Sequence, residues 1–368
     1  MSIEIDPAQN NRDRSLDQST PDSLQNTSAD LWSRDGVGSL SRAKGDGLPE
    51  LPEVELVDDR SGGPASGVVP GELSTVELTV DGQSRAYQVY VPENGKEPMS
   101  VVYVLHGVNN GDAAGLMDRE TEMSRYAEEN GFVAVYPLAE VGDDGLASWN
   151  SPGAGLTPTD PSYDDVNYMR AVVDSVKNDL GVTVDPEDQI LVGFSEGGEF
   201  VHHLVGEMPG VFSDRAAVHG TLTGSETWPT DPMPVVLIHG GADHMLPFEG
   251  GMGVMSWAAQ QWTGALDKIR QSEPALQFRW AMQENDCTGN PEVEYRSEYH
   301  DAFIGSLRHD TVVARLSAEQ CNGNPVSFYY LPEAEHAWHG VGEGGMFLGE
   351  KDPYFNASEV ILDNLLGY

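Results

Sequence analysis

Ser195 stands in Gly193-Phe194-Ser195-Glu196-Gly197-Gly198, after the apolar run QILV and before EFVHHLVGEM. A strand, a sharp glycine-flanked turn and a helix in that order present a serine hydroxyl at a helix N-terminus, where backbone N–H groups face developing negative charge. The turn is tight enough that Gly193 and Gly197 must be small. A serine hydroxyl is a poor nucleophile near neutral pH and needs a base, which in turn needs an orienting carboxylate. With a nucleophile on such a turn the acid follows next in the chain and then the histidine, each from a loop after a strand. Asp243 in PVVLIHGGADHMLPF and His336 in FYYLPEAEHAWHG meet that order. The chemistry implied is covalent acyl transfer through Ser195, with His336 as base and Asp243 as its orienter.

Rival residues are weaker. His339 lies further from the strand end than His336, and His239 sits inside an apolar run, where a core or supporting role fits better. His202 and His203 belong to the helix after the turn, with at least one of them solvated or structural. His244 adjoins Asp243 as a loop residue, and Glu249 falls too far past the strand to be the acid. An oxyanion would be held by the N–H of Glu196 and, from the loop after VVYVLHG, that of Val108, with Gly107 permitting close approach. Removing one such donor typically costs about 2.7–4 kcal/mol of transition-state stabilisation. Substrate contacts are expected from Trp149, His106 and Trp338, with core packing an equal alternative for Trp149. Nothing in the chain demands a cofactor or metal, and GDDG at 142–145 lacks the ligand spacing of a calcium loop.

The elements that must position these residues begin at residue 73. LSTVELTV (73–80) and SRAYQVYVP (84–92) flank Asp81-Gly82 and read as an antiparallel hairpin. Short continuous apolar runs follow at 99–107, 132–137, 189–194, 216–220, 234–240 and 326–332, the pattern of strands buried on both faces. Helical spacing at 116–130, 162–179, 196–207 and 357–366 lies between them. Alternating strands and helices define a doubly wound, mostly parallel α/β sheet with an antiparallel N-terminal edge. The stretch 252–325 is long for one crossover; helices over VMSWAAQQWTGALDKIR and PALQFRWAMQ are expected to pack over the C-terminal edge of the sheet. Residues 1–72, rich in Asp, Ser, Pro and Gly, cannot bury enough surface to offset chain entropy and read as a disordered acidic tail or linker before a catalytic domain at 73–368.

Sixty acidic residues against 20 basic ones give a formal net charge of −40. A field of that sign repels nucleic acid and anionic lipid. Only five of the basic residues are lysine, and an acidic, lysine-poor surface suits high salt, where self-repulsion is screened. No run approaches the roughly 20 apolar residues of a spanning helix. The first residues have neither the basic nor the apolar region of a secretory leader. Cys287 and Cys321 are too few for a disulfide scaffold and have no metal-ligand spacing, so composition leaves a single bridge or two buried thiols open.

VLHG at 104–107, DDVNYMRAVVDSV at 164–176, VDPEDQILVGFSEGGEF at 184–200, HGGADHMLPFEGG at 239–251 and EHAWHG at 335–340 together resemble the esterases of the polyhydroxybutyrate depolymerase type, a group that includes feruloyl and acetylxylan esterases. The resemblance runs over about residues 73–340 in one order. It implies an α/β-hydrolase fold and an ester hydrolase with Ser195, Asp243 and His336 in the roles above. Its substrate would be a small-molecule or oligomeric feruloyl, acetyl or hydroxyalkanoate ester. It also implies a Cys287–Cys321 disulfide, worth about 3–4 kcal/mol on the loop-entropy account, and so an extracellular or periplasmic location, although no leader is visible and the cytoplasm stays open. The chain departs from the group at Glu196, at Glu335 before the histidine, and at His339, where proline is usual. Glu196, Glu199 and Glu335 would crowd the site with negative charge and favour the charged form of His336. Two other readings remain open: a serine peptidase of the same fold, and an inactive binding protein on that scaffold.

Overall fold

The structure is a computed structural model that describes residues 67–368 except 110–112, 144, 151–162, 225, 228–230, 249, 251–273, 300–309, 341–350 and 353–354. The expected tail, for residues 1–66, and the helix expected over 254–270 lie outside the described residues, as does Glu249.

One ten-stranded sheet organises the chain, in the order β1-β2-β4-β3-β5-β6-β7-β10-β9-β8. The strands are β1 (Leu73–Val80), β2 (Gln83–Tyr90), β3 (Met99–Leu105), β4 (Val133–Pro137), β5 (Val184–Phe194), β6 (Asp214–Val218), β7 (Val235–Gly240), β8 (Glu292–Tyr299), β9 (Asp310–Ala318) and β10 (Val326–Leu331). The central six, from β4 to β10, run parallel. β1 and β2 add an antiparallel edge on one side, and β9 and β8 add another on the far side.

The helices described are α1 (Ala113–Thr121), α2 (Met123–Asn130), α3 (Asp165–Asn178), α4 (Glu196–Glu207), α5 (Pro274–Glu284) and α6 (Ala357–Leu365). Successive strand residues point to opposite faces, and both faces of the central strands are apolar. Val101, Tyr103 and Leu105 of β3 pack with Met169 and Val172 of α3, Phe200 and Leu204 of α4, and Phe278 of α5. Val102 and Val104 pack on the other face with Met117 of α1, Tyr126 of α2 and Ile361 of α6. Helices on both faces of a parallel sheet are the doubly wound architecture expected.

Two expectations are corrected. The helix expected over 116–130 is two, because Glu122 takes a left-handed conformation (φ 52°). Local side chains satisfy the interrupted backbone there: the Thr121 hydroxyl bonds the Met117 carbonyl and accepts the Met123 N–H, and Asp118 accepts the Ser124 N–H. The stretch 252–325 does not form a cover over the sheet's C-terminal edge in its described part. It supplies α5 to one face and then β9 and β8, which continue the sheet itself. A disulfide joins Cys287, just past α5, to Cys321, just past β9.

Candidate active site

The site begins with the turn between β5 and α4. Ser195 is held at φ 55° and ψ −125°, off the regions an ordinary residue prefers. A side chain on Gly193 would collide with the carbonyl of Gly197, and one on Gly197 with the carbonyls of Leu105 and His106. That double crowding is why the sequence needs glycine on both sides of the serine. The Ser195 N–H is tied to the Val218 carbonyl at 2.9 Å, which fixes the turn to β6.

His336, after β10, places Nε2 2.8 Å from Ser195 Oγ and Nδ1 2.7 Å from Asp243 Oδ2. The ring lies against Phe194, the residue before the nucleophile, with ring centroids 5.2 Å apart. Asp243, after β7, accepts the N–H groups of Met245 and Leu246 on Oδ1, both at 2.8 Å. The structure thus brings together the three residues the sequence nominated.

Burial alone would raise the Asp243 pKa, but the charge and hydrogen bonds of His336 and His219 overcome that and hold it well below the usual carboxylate range. Asp243 therefore stays ionised and acceptor-only. His219 was absent from the sequence reading. Its Nδ1 lies 2.7 Å from the same Asp243 Oδ2 that His336 uses. His339, set aside as a base, stacks behind it, with Nε2 2.9 Å from His219 Nε2. His239 also adjoins the acid, but its Nε2 donates to the Leu246 carbonyl at 2.8 Å, and burial pushes its pKa down to about 3. His219, His239 and Asp243 have the composition of a metal site. Their donor atoms do not fit an ion. His219 Nδ1 and Asp243 Oδ2 stand at hydrogen-bond distance, 2.7 Å, from each other, well short of the roughly 3.4 Å between tetrahedral ligands with metal bonds of about 2.0–2.2 Å.

The expected oxyanion donors sit on two anchored segments. Glu196 is the first residue of α4, where N–H groups have no partner within the helix. The loop after β3 packs against Ser195: a Cβ on Gly107 would come 2.8 Å from Ser195 Cβ. The Ala139 N–H donates to His106 Nε2, so the ring carries its proton on Nδ1 and donates it to the Gly107 carbonyl at 2.7 Å. Carbonyl and N–H of one trans peptide point in opposite directions. Holding the Gly107 carbonyl therefore sets the direction of the Val108 N–H.

The substrate contacts expected from His106 and Trp338 need correction, and of the two roles open to Trp149 it takes core packing. His106 is fully buried with both ring nitrogens committed, and burial pushes its pKa down to about 4. Trp149 is buried between His106 and Phe200, and its Nε1 donates to the His106 carbonyl at 2.7 Å. Trp338 is buried and donates to Ser358 Oγ at 3.0 Å, which in turn donates to the Thr121 carbonyl. All three brace loops of the site and present no surface to a ligand.

Two of the three glutamates, Glu196 and Glu199, behave otherwise than expected. Glu196 accepts from the Ser148 hydroxyl at 2.6 Å and the Trp149 N–H at 3.0 Å. Burial pushes its pKa up to about 8, opposed by these two bonds and assisted by the charge of Asp165. Glu199 bonds Thr221 at 3.0 Å, and burial with the neighbouring Glu196 pushes it up to about 8 as well. Below that pH neither adds a full charge near His336. His202 is bound to Gln277 at 2.8 Å inside the core, His203 is buried, and His244 is exposed.

A parallel sheet in this order, with a strained serine between its central strand and a helix and with acid and histidine on the loops after β7 and β10, is an α/β-hydrolase fold carrying a Ser-His-Asp constellation. No protein-family model matches the chain. Over 180 residues it is 34% identical to a putative esterase, NocK, of Nocardia uniformis subsp. tsuyamanensis, covering 47% of this chain and 49% of that one. It is 24% identical over 168 residues to a bifunctional acetylxylan esterase/xylanase of Neocallimastix patriciarum (46% and 23%), and 26% identical over 170 residues to a probable feruloyl esterase C of Aspergillus flavus (46% and 58%). The chain spans about half the length, or less, of the curated relatives it matches first.

Proposed function

We propose that the protein is a carboxylic ester hydrolase that works through an acyl-serine intermediate. The observation that carries this reading is the unbroken line from Ser195 Oγ through His336 to Asp243, with hydrogen bonds of 2.8 and 2.7 Å. Ser195 Oγ attacks the ester carbonyl while His336 Nε2 takes its proton. The oxyanion is met by the N–H groups of Glu196 and Val108. Collapse of the tetrahedral adduct expels the alcohol, which takes the proton back from His336, and leaves the acyl group on Ser195. Water, deprotonated by His336, then releases the acid and restores the hydroxyl. Asp243, kept ionised, stabilises the imidazolium formed in both halves.

The substrate class is an acetyl, feruloyl or short hydroxyalkanoate ester, in keeping with the names of the acetylxylan and feruloyl esterases among the relatives. The Cys287–Cys321 bond favours an oxidising compartment, the periplasm or the outside of the cell. Among the described residues no helix is long and apolar enough to cross a membrane.

The test is a panel of p-nitrophenyl acetate, butyrate and octanoate, methyl ferulate and a hydroxybutyrate oligomer, with wild type and Ser195→Ala. Hydrolysis that disappears in Ser195→Ala, together with fluorophosphonate labelling of wild type alone, is the expected result. A wild type inert on the whole panel across pH and salt would sink the reading.

A further inference from the structure

Asp243 holds two histidines on one oxygen. His336 Nδ1 and His219 Nδ1 each lie 2.7 Å from Oδ2. The first is the base of the triad; the second has no place in the chemistry just derived.

The proton positions in this group follow from one fixed donor. The backbone N–H of Asp352 donates to His339 Nδ1 at 3.1 Å, so that nitrogen carries a lone pair. A neutral His339 then has its proton on Nε2 and donates it to His219 Nε2, 2.9 Å away. His219 accepts there, so its own proton is on Nδ1, where it can only donate to Asp243 Oδ2. Each bond in the chain runs the same way, from a backbone amide to the acid. Adding a proton to either ring would set N–H against N–H or against the Asp352 amide. His219 is fully buried and held at φ 51°, a left-handed conformation in which a histidine persists only where its surroundings require it.

We propose that His219, with its tautomer set by His339 and the Asp352 amide, is a positioning residue that shares the charge of Asp243 with His336 and so tunes the base of the triad. The inference rests on the reading of Ser195, His336 and Asp243 as a catalytic unit.

The direction of the tuning is definite. The His219 proton takes up part of the Asp243 charge. Without it the whole charge falls on His336 and favours the imidazolium, so a higher pH is needed to free the base. The groups facing this cluster are Asp243 and His239 on and after β7, His336 and His339 after β10, and Lys351, whose charge acts on His339. Burial pushes both His219 and His339 down, His339 well below the usual histidine range, in the direction that favours the neutral rings. Glu196 and Glu199, at about 8, bear on the upper limb of a pH profile rather than the lower one.

The full-length protein labelled with 15N-histidine gives the first readout, by long-range proton–nitrogen correlation. His219 is expected as the neutral Nδ1–H form and His339 as the neutral Nε2–H form at and above the ordinary histidine pKa of about 6.5. The opposite tautomer on either ring, or a charged ring in that range, overturns the relay whether or not any ester is turned over.

Activity gives the second readout. His219→Leu is expected to change kcat on the alkaline plateau by less than about tenfold, because Asp243 keeps its charge and its bond to His336. KM for p-nitrophenyl butyrate should hold, and the lower limb of kcat/KM should move to higher pH. His219→Asn keeps an N–H donor and tolerates the left-handed backbone, so it should retain the wild-type limb. His339→Leu frees the His219 tautomer without touching Asp243 and should move the limb the same way by less. If His219→Leu fails to fold, His339→Leu and the tautomer spectra carry the test. A fall in kcat with the limb unmoved in both leucine variants means that the histidines only pack the loop, and the proposal is lost.

Discussion

Glu196 puts an acidic side chain next to Ser195, and its environment decides what that acid does. The carboxyl is buried on Ser148 and Trp149, and its pKa is raised from the ordinary 4.5 to about 8. In the unfolded chain it ionises near 4.5, so between that pH and about 8 the folded state binds one proton more than the unfolded state. Stability therefore falls as pH rises through that window, and Glu199 contributes in the same direction. Glu196→Gln keeps the shape, lets an amide meet the Ser148 hydroxyl, and cannot ionise. We expect it to match wild type near pH 5 and to gain about 2–4 kcal/mol relative to it at pH 8, read from urea unfolding at the two pH values. An equal offset at both would mean that the carboxyl is already ionised in the folded protein. The Ser195, Asp243 and His336 cluster was legible in the sequence because its order is dictated by the order of loops along the chain. His219 was not, because it hides at the end of an apolar strand and its role comes from a neighbour 24 residues away. The available signal was its place: it follows Val218, which pairs with Phe194, so a histidine there must sit beside Ser195. The aromatic and imidazole groups near the motifs misled for the opposite reason, since their types suit ligand contact but their polar atoms are already spent on holding loops.

Helix α5 is fastened to the sheet by charge as well as by apolar contact. Arg215 on β6 makes a two-pronged ion pair with Glu284, at 2.8 and 2.6 Å, and both side chains are out of solvent. The same helix end is tied through Cys287 to the end of β9. Arg215→Met leaves a buried carboxylate without its partner and is expected to cost about 3–5 kcal/mol. Arg215→Met with Glu284→Leu should recover most of that, because the desolvation of both charges is then removed. Guanidinium unfolding midpoints of the three proteins decide it, and a double variant no better than the single one would show that the pair's geometry itself holds α5. The central strands were legible because strands buried on both faces are continuous apolar runs, and the opening hairpin because its turn dipeptide is explicit. β8 and β9 escaped notice since EVEYRSEY and DTVVARLSA mix charged residues into the last two strands at one side of the sheet and carry no continuous apolar run. The helix break at Glu122 escaped because it is made by hydroxyl and carboxyl bonds to the backbone, to which apolar periodicity is blind.

For the whole molecule the governing quantity is the net charge of −40. Self-repulsion of that size opposes the compact state, and salt relieves it as the Debye length falls from about 30 Å at 0.01 M to about 3 Å at 1 M. The expected gain in stability from sodium chloride over that range is on the order of 1–3 kcal/mol, the sum of several exposed repulsions each worth a few tenths. On the proposed ester hydrolysis, the same field acts on an ester before it reaches Ser195. An ester with a free carboxylate is repelled from the surface, whereas a neutral ester of similar size is not. For such a pair, kcat/KM of the anionic ester should climb with salt while that of the neutral one stays nearly flat, and the gap between them should narrow toward 1 M. Salt that accelerated both equally would place its effect on folding or on the triad. Salt that changed neither would mean that the acidic residues lie far from the path to the nucleophile, so that the charge serves solubility alone.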